Sequence, residues 1–367
     1  MAEERRKLRA GVIGTGTIAF SAHLPAFRKL RDEIELVAVA DVRAEAAMTA
    51  AEMYGVETHY TDYQEMLRRE RLDFVDICTP EFLHPEQTEA AAQAGVHVLC
   101  EKPMAASVAG ADRMLRACEA ADVKLMIAHS RRFTGRYMQI RAAIERGEIG
   151  EVRYVRENER RPRTMYDRLA LAATYWEPEG GKPWVQLAGY THGAAMTNAV
   201  HETDLARWFV APGGYPQPTS VYAEARMTQA DSEIPDMLTY TVEFEGGAIA
   251  AAEVVNHLPR GYPYFHMMEV IGTEGRIQAI DPEQSPSTVA HATGMAQQQN
   301  FPVLLHVDEA YVREIRAFAD ALRNDTEPVL SAHEARGAIE LSVGAILSYQ
   351  RGEPVSLPLP EGVDVNG

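Results

Sequence analysis

Glu101, Lys102 and Pro103 place an acid, a base and a conformational lock in three consecutive positions. They follow the apolar run Gly95-Val96-His97-Val98-Leu99 and then Cys100, which reads as a short buried strand. A carboxylate and an ammonium at the end of a buried parallel strand stand where an open α/β sheet binds its ligand. Lysine can give a proton near neutral pH once burial or a neighbouring cation lowers its pKa. Pro103 fixes φ and admits a cis Lys–Pro bond, which would hold the ammonium in one place. Taken alone, the tripeptide reads first as a surface pair capping a helix, so its meaning rests on what surrounds it.

A second group with chemical potential runs from His192 to Asp204. On a helix, Thr197 and His201 lie four apart and share a face, and Asp204 falls on the same side as His201. An imidazole titrates near neutrality, so it can move a proton or polarise an oxygen. A histidine beside Trp208 and Phe209 also reads as a packed core residue. A basic cluster, Arg156, Arg160, Arg161 and Arg163, reads as a solvated rim or subunit contact, or as an anionic pocket.

The elements that must position these groups alternate regularly. The strand 8–13 runs into Gly14-Thr15-Gly16-Thr17-Ile18-Ala19, which fits G-x-G-x-x-A, and a helix is expected over 21–31. The first glycine allows a tight turn, the second lets backbone approach a pyrophosphate, and the small third residue lets helix and strand pack. Asp41 closes the strand 36–41, 22 residues past Ala19, close to the spacing at which a carboxylate meets an adenosine ribose. It equally suits a helix N-cap. Arg43, two residues on, could hold a 2′-phosphate, so NAD is favoured and NADP is the alternative. Strands near 58–60, 74–80 and 124–128 and helices over 45–54, 63–69, 85–94 and 107–121 complete the rhythm. It predicts a doubly wound parallel sheet.

The ordered set Gly14-x-Gly16-x-x-Ala19, Asp41, Thr79-Pro80-x-x-x-His84 and Glu101-Lys102-Pro103 resembles the Gfo/Idh/MocA family of nicotinamide-dependent oxidoreductases over nearly the whole chain. The resemblance implies a cofactor site of Gly14, Gly16, Thr17, Ile18, Asp41, Thr79, Pro80, His84, Glu101 and Lys102. It implies that Glu101 approaches the nicotinamide and that Lys102 reaches substrate beside its C4. His201 matches the family's catalytic or substrate-binding histidine, and Asp204 the residue that often supports it. Two positions depart from the pattern. Thr197 stands where the family has Asp, and Ser130 where it often has Asn. A hydroxyl binds substrate but is no carboxylate base. Thr197, Tyr190, Trp176 and Arg132 are candidate substrate contacts.

Past a boundary at 128/129, a helix is expected over 137–145 and an irregular aromatic loop over 163–190. Long loops of that kind usually line a site or an interface. Strand patterning over 219–229, 236–245, 248–257 and 265–272 predicts a large, open, mostly antiparallel sheet. Residues 285–301 read as a polar loop, and 308–324 and 332–351 as helices. The expected fold is therefore α/β: a Rossmann domain over 1–128 and an α+β substrate and oligomerisation domain over 129–367. One face of the second sheet needs a cover, and the resemblance implies a homodimer or homotetramer formed through it.

The chain of 367 residues is 46% hydrophobic and 24% charged, which suits an ordinary soluble fold. A net charge of −17 argues against broad binding to nucleic acid or anionic membrane. Three cysteines without Cys-x-x-Cys spacing suggest reduced thiols, a cytoplasmic setting and no zinc site; no metal site is read from the sequence. No run reaches the roughly 18 apolar residues of a membrane span. The reading favoured is hydride transfer between NAD(P) and a secondary alcohol or carbonyl of a sugar, polyol or related cyclic compound, with Lys102 and His201 moving the proton or polarising the oxygen. Two others stand beside it. One is an NAD-assisted epimerase or glycoside-cleaving enzyme without net redox. The other is a non-catalytic NAD-binding sensor.

Overall fold

Six short apolar segments pair into one parallel sheet: β1 (Leu8–Ile13), β2 (Ile34–Ala40), β3 (Thr58–Tyr60), β4 (Phe74–Ile77), β5 (His97–Glu101) and β6 (Leu125–Ala128). The structure is a computed structural model that describes residues 6–162, 192–210, 216–227, 234–258, 262–281, 288–291, 296–297, 307–363 and 365. The strand order is β3-β2-β1-β4-β5-β6. Chain direction across the sheet reverses between β1 and β4, so a crevice opens at the carboxyl ends of these strands. Strands β4 and β6 are buried at every residue, as a sheet covered on both faces requires.

Local chemistry starts and stops the helices between the strands. Asp62 accepts from the Gln64 amide at 2.8 Å and opens the helix Tyr63–Arg69. Gly55 adopts a left-handed conformation and ends Ala44–Tyr54. The expected helix over 21–31 is divided. A π-turn, Ala19–His23, precedes the α-helix Leu24–Lys29. Such turns are common at functional sites, and here the turn ends on a fully buried histidine.

Among the described residues, the second sheet has nine strands in the order β14-β13-β12-β11-β7-β10-β9-β8-β15. They are β7 (Val152–Pro162), β8 (Pro218–Arg226), β9 (Met237–Phe244), β10 (Ile249–Leu258), β11 (Phe265–Gly272), β12 (Gly275–Asp281), β13 (Thr288–His291), β14 (Ala296–Gln297) and β15 (Val355–Ser356). Among the described residues, only β7 and β10 pair in parallel; the other neighbours are antiparallel. Period-2 burial is clear in β9, where Leu238, Tyr240, Val242 and Phe244 point inward. β13 and β14 lie inside the stretch expected to be a loop. β13 pairs onto β12 and β14 onto β13, which supplies order that their sequence does not advertise.

Contacts divide the chain into two units. The first is Met1–Ala105, Ala109–Phe133 and His306–Arg336; the second is Ala106–Val108, Thr134–Leu305 and Gly337–Gly367. The return of a late segment to the first unit has a packing cause. The helix Val307–Asn324 places Ala310, Tyr311, Ile315, Phe318 and Ala319 in the same core as Phe27 and Phe74. Phe318 meets Phe74 edge-on at 5.5 Å, and Phe27 stacks on Phe74 at 6.2 Å. Among the described residues, no helix is long and apolar enough to cross a membrane.

Candidate active site

The turn after β1 is shaped for a dinucleotide. Gly14 has φ +91°, and a Cβ there would lie 2.7 Å from Thr79 Cγ2 and 2.9 Å from the Cys78 carbonyl oxygen. A Cβ on Gly16 would meet nothing within 4 Å, so that side of the loop is open. The loop therefore packs tightly on β4 through its first glycine and leaves room beside its second. Thr17 and Ile18 continue this turn into the π-turn.

Asp41 follows β2 and is oriented from two sides. Its Oδ2 accepts from the Thr15 amide at 2.9 Å and from Thr15 Oγ1 at 3.1 Å. Its Oδ1 accepts from the Arg43 amide at 3.0 Å and from Arg43 Nε at 3.1 Å. Asp41 and the glycine loop thus form one hydrogen-bonded piece, and the Arg43 guanidinium is turned onto the carboxylate. These residues fit an adenosine ribose and a pyrophosphate.

At the end of β5, Glu101 belongs to a buried polar row. His23 Nδ1 lies 2.7 Å from Asp76 Oδ2, and His23 Nε2 lies 3.0 Å from Glu101 Oε1. Glu101 Oε2 in turn accepts from the Lys102 amide at 2.8 Å. Burial would favour neutral imidazole, but the Asp76 carboxylate and the neighbouring Cys78 together outweigh it and hold the His23 pKa well above its ordinary value. Burial likewise raises the Glu101 pKa, and the bond and charge of His23 together with the charge and amide of Lys102 more than offset this, leaving it below the usual carboxylate range. The row is thus an imidazolium between two carboxylates. Tyr311 sets its ring edge-on to His23 at 5.0 Å, and its hydroxyl bonds Ser130. The Lys102–Pro103 bond is cis.

Thr79, Pro80 and His84 lie beside this row. His84 is fully buried, with Nε2 2.8 Å from the Thr79 carbonyl and Nδ1 2.9 Å from the Pro103 carbonyl. It ties the segment after β4 to the segment after β5, and burial lowers its pKa. Thr79 Oγ1 donates to Gln87 at 2.6 Å. Arg132 is 4% exposed, and its guanidinium lies 3.3 Å from Glu334 Oε2. That ion pair anchors the chain at the end of the first unit.

The first unit therefore gathers Gly14, Gly16, Thr17, Ile18, Asp41, Thr79, Pro80, His84, Glu101 and Lys102 around the carboxyl ends of β1, β2, β4 and β5. His201 and Asp204 lie in the second unit, buried on the helix Ala199–Val210. Thr197 sits in a preceding π-turn, Ala194–Asn198, where its Oγ1 donates to the Gly193 carbonyl at 2.7 Å. The π-turn breaks the uniform α spacing on which the shared face of Thr197 and His201 was expected. Tyr190 and Trp176 lie outside the described residues. The arginine cluster is dispersed. Arg160 pairs with Glu253 at 2.8 Å, Arg161 pairs with Glu159 at 2.9 Å, and Arg163 lies outside the described residues.

Sequence reading missed His23, Asp76 and Tyr311. Asp76 did leave a signal, since an acid within an otherwise apolar buried strand needs a partner. His23 and Tyr311 left none, because only folding brings them to that carboxylate.

A 3-2-1-4-5-6 parallel sheet, a glycine turn, an acid after the second strand and a polar row at the fifth strand define a dinucleotide-binding Rossmann oxidoreductase. Residues 8–129 match the family described as "Oxidoreductase family, NAD-binding Rossmann fold", and residues 137–278 match the "GFO/IDH/MocA C-terminal domain". The chain belongs to the Gfo/Idh/MocA family, and its first unit is an NAD-binding Rossmann fold. It is similar to the uncharacterized oxidoreductase YrbE of Bacillus subtilis (strain 168), 27% identical over 98% of this chain and 99% of that one. It is 26% identical to the myo-inositol 2-dehydrogenase of Thermotoga maritima, over 95% and 98% of the two chains. Among solved structures, the WlbA dehydrogenase of Bordetella pertussis, in complex with NADH and UDP-GlcNAcA, superposes with a TM-score of 0.77. It is 26% identical and covers 97% of this chain and 100% of that one.

Proposed function

We propose that this protein transfers hydride reversibly between NAD and a secondary alcohol or carbonyl of a sugar, polyol or related cyclic compound. The observation that carries the reading is the braced end of β5. Glu101 is fixed through His23 on one oxygen and binds the Lys102 amide with the other, so the backbone that presents Lys102 is held in place. A fixed ammonium can polarise a carbonyl or stabilise a developing alkoxide. NAD, when bound, supplies the hydride acceptor. Lys102 and His201 move the hydroxyl proton or polarise its oxygen, and Asp204, three residues along the same helix, supports His201. The substrate class is supported by the relative named myo-inositol 2-dehydrogenase. Thr197 in place of an acid leaves Lys102 and His201 as the titrating groups of the proposal.

The protein acts as a homodimer or homotetramer through the outer face of the second sheet. That face carries exposed Tyr222 and Ile249 and a shallow depression lined by Tyr154, Arg156, Asn158 and Glu224. Its setting is the cytoplasm, in keeping with buried free thiols at Cys78, Cys100 and Cys118.

The test is a panel of inositols, aldoses and glycosides followed by dihydronicotinamide absorbance, with Lys102→Ala beside the native enzyme. The expected result is net NADH release with at least one polyol or sugar. Lys102→Ala is expected to keep NAD affinity and lose roughly 10²–10⁴-fold in turnover. Full activity in Lys102→Ala overturns the role given to that ammonium. Substrate conversion without net NADH release replaces the dehydrogenase reading with transient oxidation.

A further inference from the structure

We propose that Thr15 is a positioning residue for cofactor choice: its hydroxyl fixes the rotation of the Asp41 carboxylate and so sets how strongly the turn after β1 prefers NAD to NADP. This rests on Asp41 being the acid that meets the adenosine ribose.

The backbone around Asp41 is held without that hydroxyl. The Gly14 amide donates to the Ala40 carbonyl at 2.8 Å, and the Asp41 amide donates to the Tyr60 carbonyl at 3.1 Å. The first bond ties the glycine turn to β2, and the second ties the end of β2 to β3. Neither sets the rotation of the Asp41 side chain. The last torsion of an aspartate is broad, so the carboxylate turns unless something stops it.

Thr15 supplies that stop. Its amide donates to Asp41 Oδ2 at 2.9 Å, and its hydroxyl donates to the same oxygen at 3.1 Å. Thr15 is 2% exposed and the Asp41 side chain 8%, so water competes little for these bonds. Bonds to an ionised acceptor are also stronger than bonds between neutral groups. Oδ1 is held differently. It accepts from the Arg43 amide at 3.0 Å, in a local turn closed by the aspartate side chain, and from Arg43 Nε at 3.1 Å. Arg43 Nη2 lies 3.2 Å from Oδ2, and the Arg43 side chain is 31% exposed.

A carboxylate offers about four acceptor positions. The amides of Thr15 and Arg43 and the Thr15 hydroxyl occupy three of them, each fixed by backbone or by burial. The remaining side is shared with the Arg43 guanidinium, on a long side chain that solvent reaches. A ribose hydroxyl gains Asp41 there, by exchange with the guanidinium, while Thr15 keeps the carboxylate from turning away. A carboxylate held in that rotation accepts from a 2′-hydroxyl and repels a 2′-phosphate. Valine at position 15 keeps the shape of the side chain and loses the donor. The carboxylate then meets the hydroxyl less often and is able to turn from a phosphate, so the preference for NAD shrinks.

The test titrates the full chain with NADH and NADPH separately, without substrate, and follows dihydronicotinamide fluorescence, so the readout is independent of turnover. Thr15→Val is expected to weaken NADH binding about 3- to 10-fold, part of what a whole charge-assisted bond is worth, and to leave NADPH within about twofold. Thr15→Ser keeps the hydroxyl and is expected to restore the native ratio. Thr15→Val added to Asp41→Ala is expected to change NADH affinity by less than about twofold, because the hydroxyl acts through that carboxylate. Thermal melting confirms that each variant folds. A merely structural hydroxyl would weaken both cofactors alike. A native NADH-to-NADPH ratio in Thr15→Val, with a shifted ratio in Asp41→Ala, overturns the role of Thr15 and leaves Asp41 as the ribose acid. A native ratio and native NADH affinity in both variants remove Asp41 from the ribose, and the role of Thr15 falls with it.

Discussion

His23 Nε2 stands 3.0 Å from Glu101 Oε1, so the carboxylate next to Lys102 is held by a residue 78 positions earlier in the chain. The other ring nitrogen is committed to Asp76 at 2.7 Å. Replacing the imidazole with an amide, His23→Gln, leaves two buried carboxylates without their cation. The expected cost is about 3–5 kcal/mol in urea unfolding, with a loss of turnover as Glu101 shifts. A variant with the native urea midpoint would contradict this account.

The same row sets a pH window. The folded pKa of His23 is raised, so its contribution is complete below the ordinary value of 6.5 and is lost as pH rises through the folded value. The folded pKa of Glu101 is lowered, so its contribution is complete above the ordinary value of 4.5 and is lost as pH falls through the folded value. Urea midpoints measured from acid to alkaline pH are expected to fall off on both sides for the native protein. The alkaline fall should be reduced in His23→Gln.

We propose that Asp41 is the acid that sets the choice between NAD and NADP. Removing it in Asp41→Ala takes away an acceptor worth roughly 1.5–3 kcal/mol per charged hydrogen bond, so NAD affinity should fall about 10- to 100-fold. The change also removes the carboxylate onto which the Arg43 guanidinium is turned. NADP should therefore gain relative to NAD. Titration with both reduced cofactors, followed by fluorescence, measures the ratio. An unchanged ratio would show that the pair does not set cofactor choice.

The two glycines of the turn should respond differently to alanine. At Gly14 the positive φ and the close approach to Thr79 and Cys78 make a methyl group strained, by about 1–3 kcal/mol. At Gly16 the space is open, so Gly16→Ala should fold with near-native stability and still bind NAD poorly, because its methyl group enters the cofactor's room. Thermal melting and NAD titration of the pair separate the two effects. Tight NAD binding by Gly16→Ala would remove that glycine from the cofactor site.

Phe318 tests the membership of the late helix in the first unit. It is fully buried and meets Phe74 at the centre of the Rossmann core. Phe318→Ala should cost about 3–5 kcal/mol and lower the urea midpoint. Near-native stability would mean that the helix adds little to that core.

By itself, the sequence determined the features that are local or periodic. The apolar strand runs, the glycine turn, Asp41 after β2 and Glu101-Lys102-Pro103 after β5 could be placed because each sits within a few residues of its own signal. The helices Tyr63–Arg69 and Ala332–Arg351 were legible to the residue for the same reason. Tertiary structure decided what depends on distant partners. His84 became a brace between two carbonyls, and Arg132 an ion pair with Glu334. The helix Val307–Asn324 joined the first unit, because a buried aromatic contact lies 244 residues away along the chain, from Phe74 to Phe318. The row Asp76–His23–Glu101 also required the fold. A buried charge shows in a sequence only as a polar residue in an apolar setting, and its counter-charge is chosen by whichever chain segment packs against it.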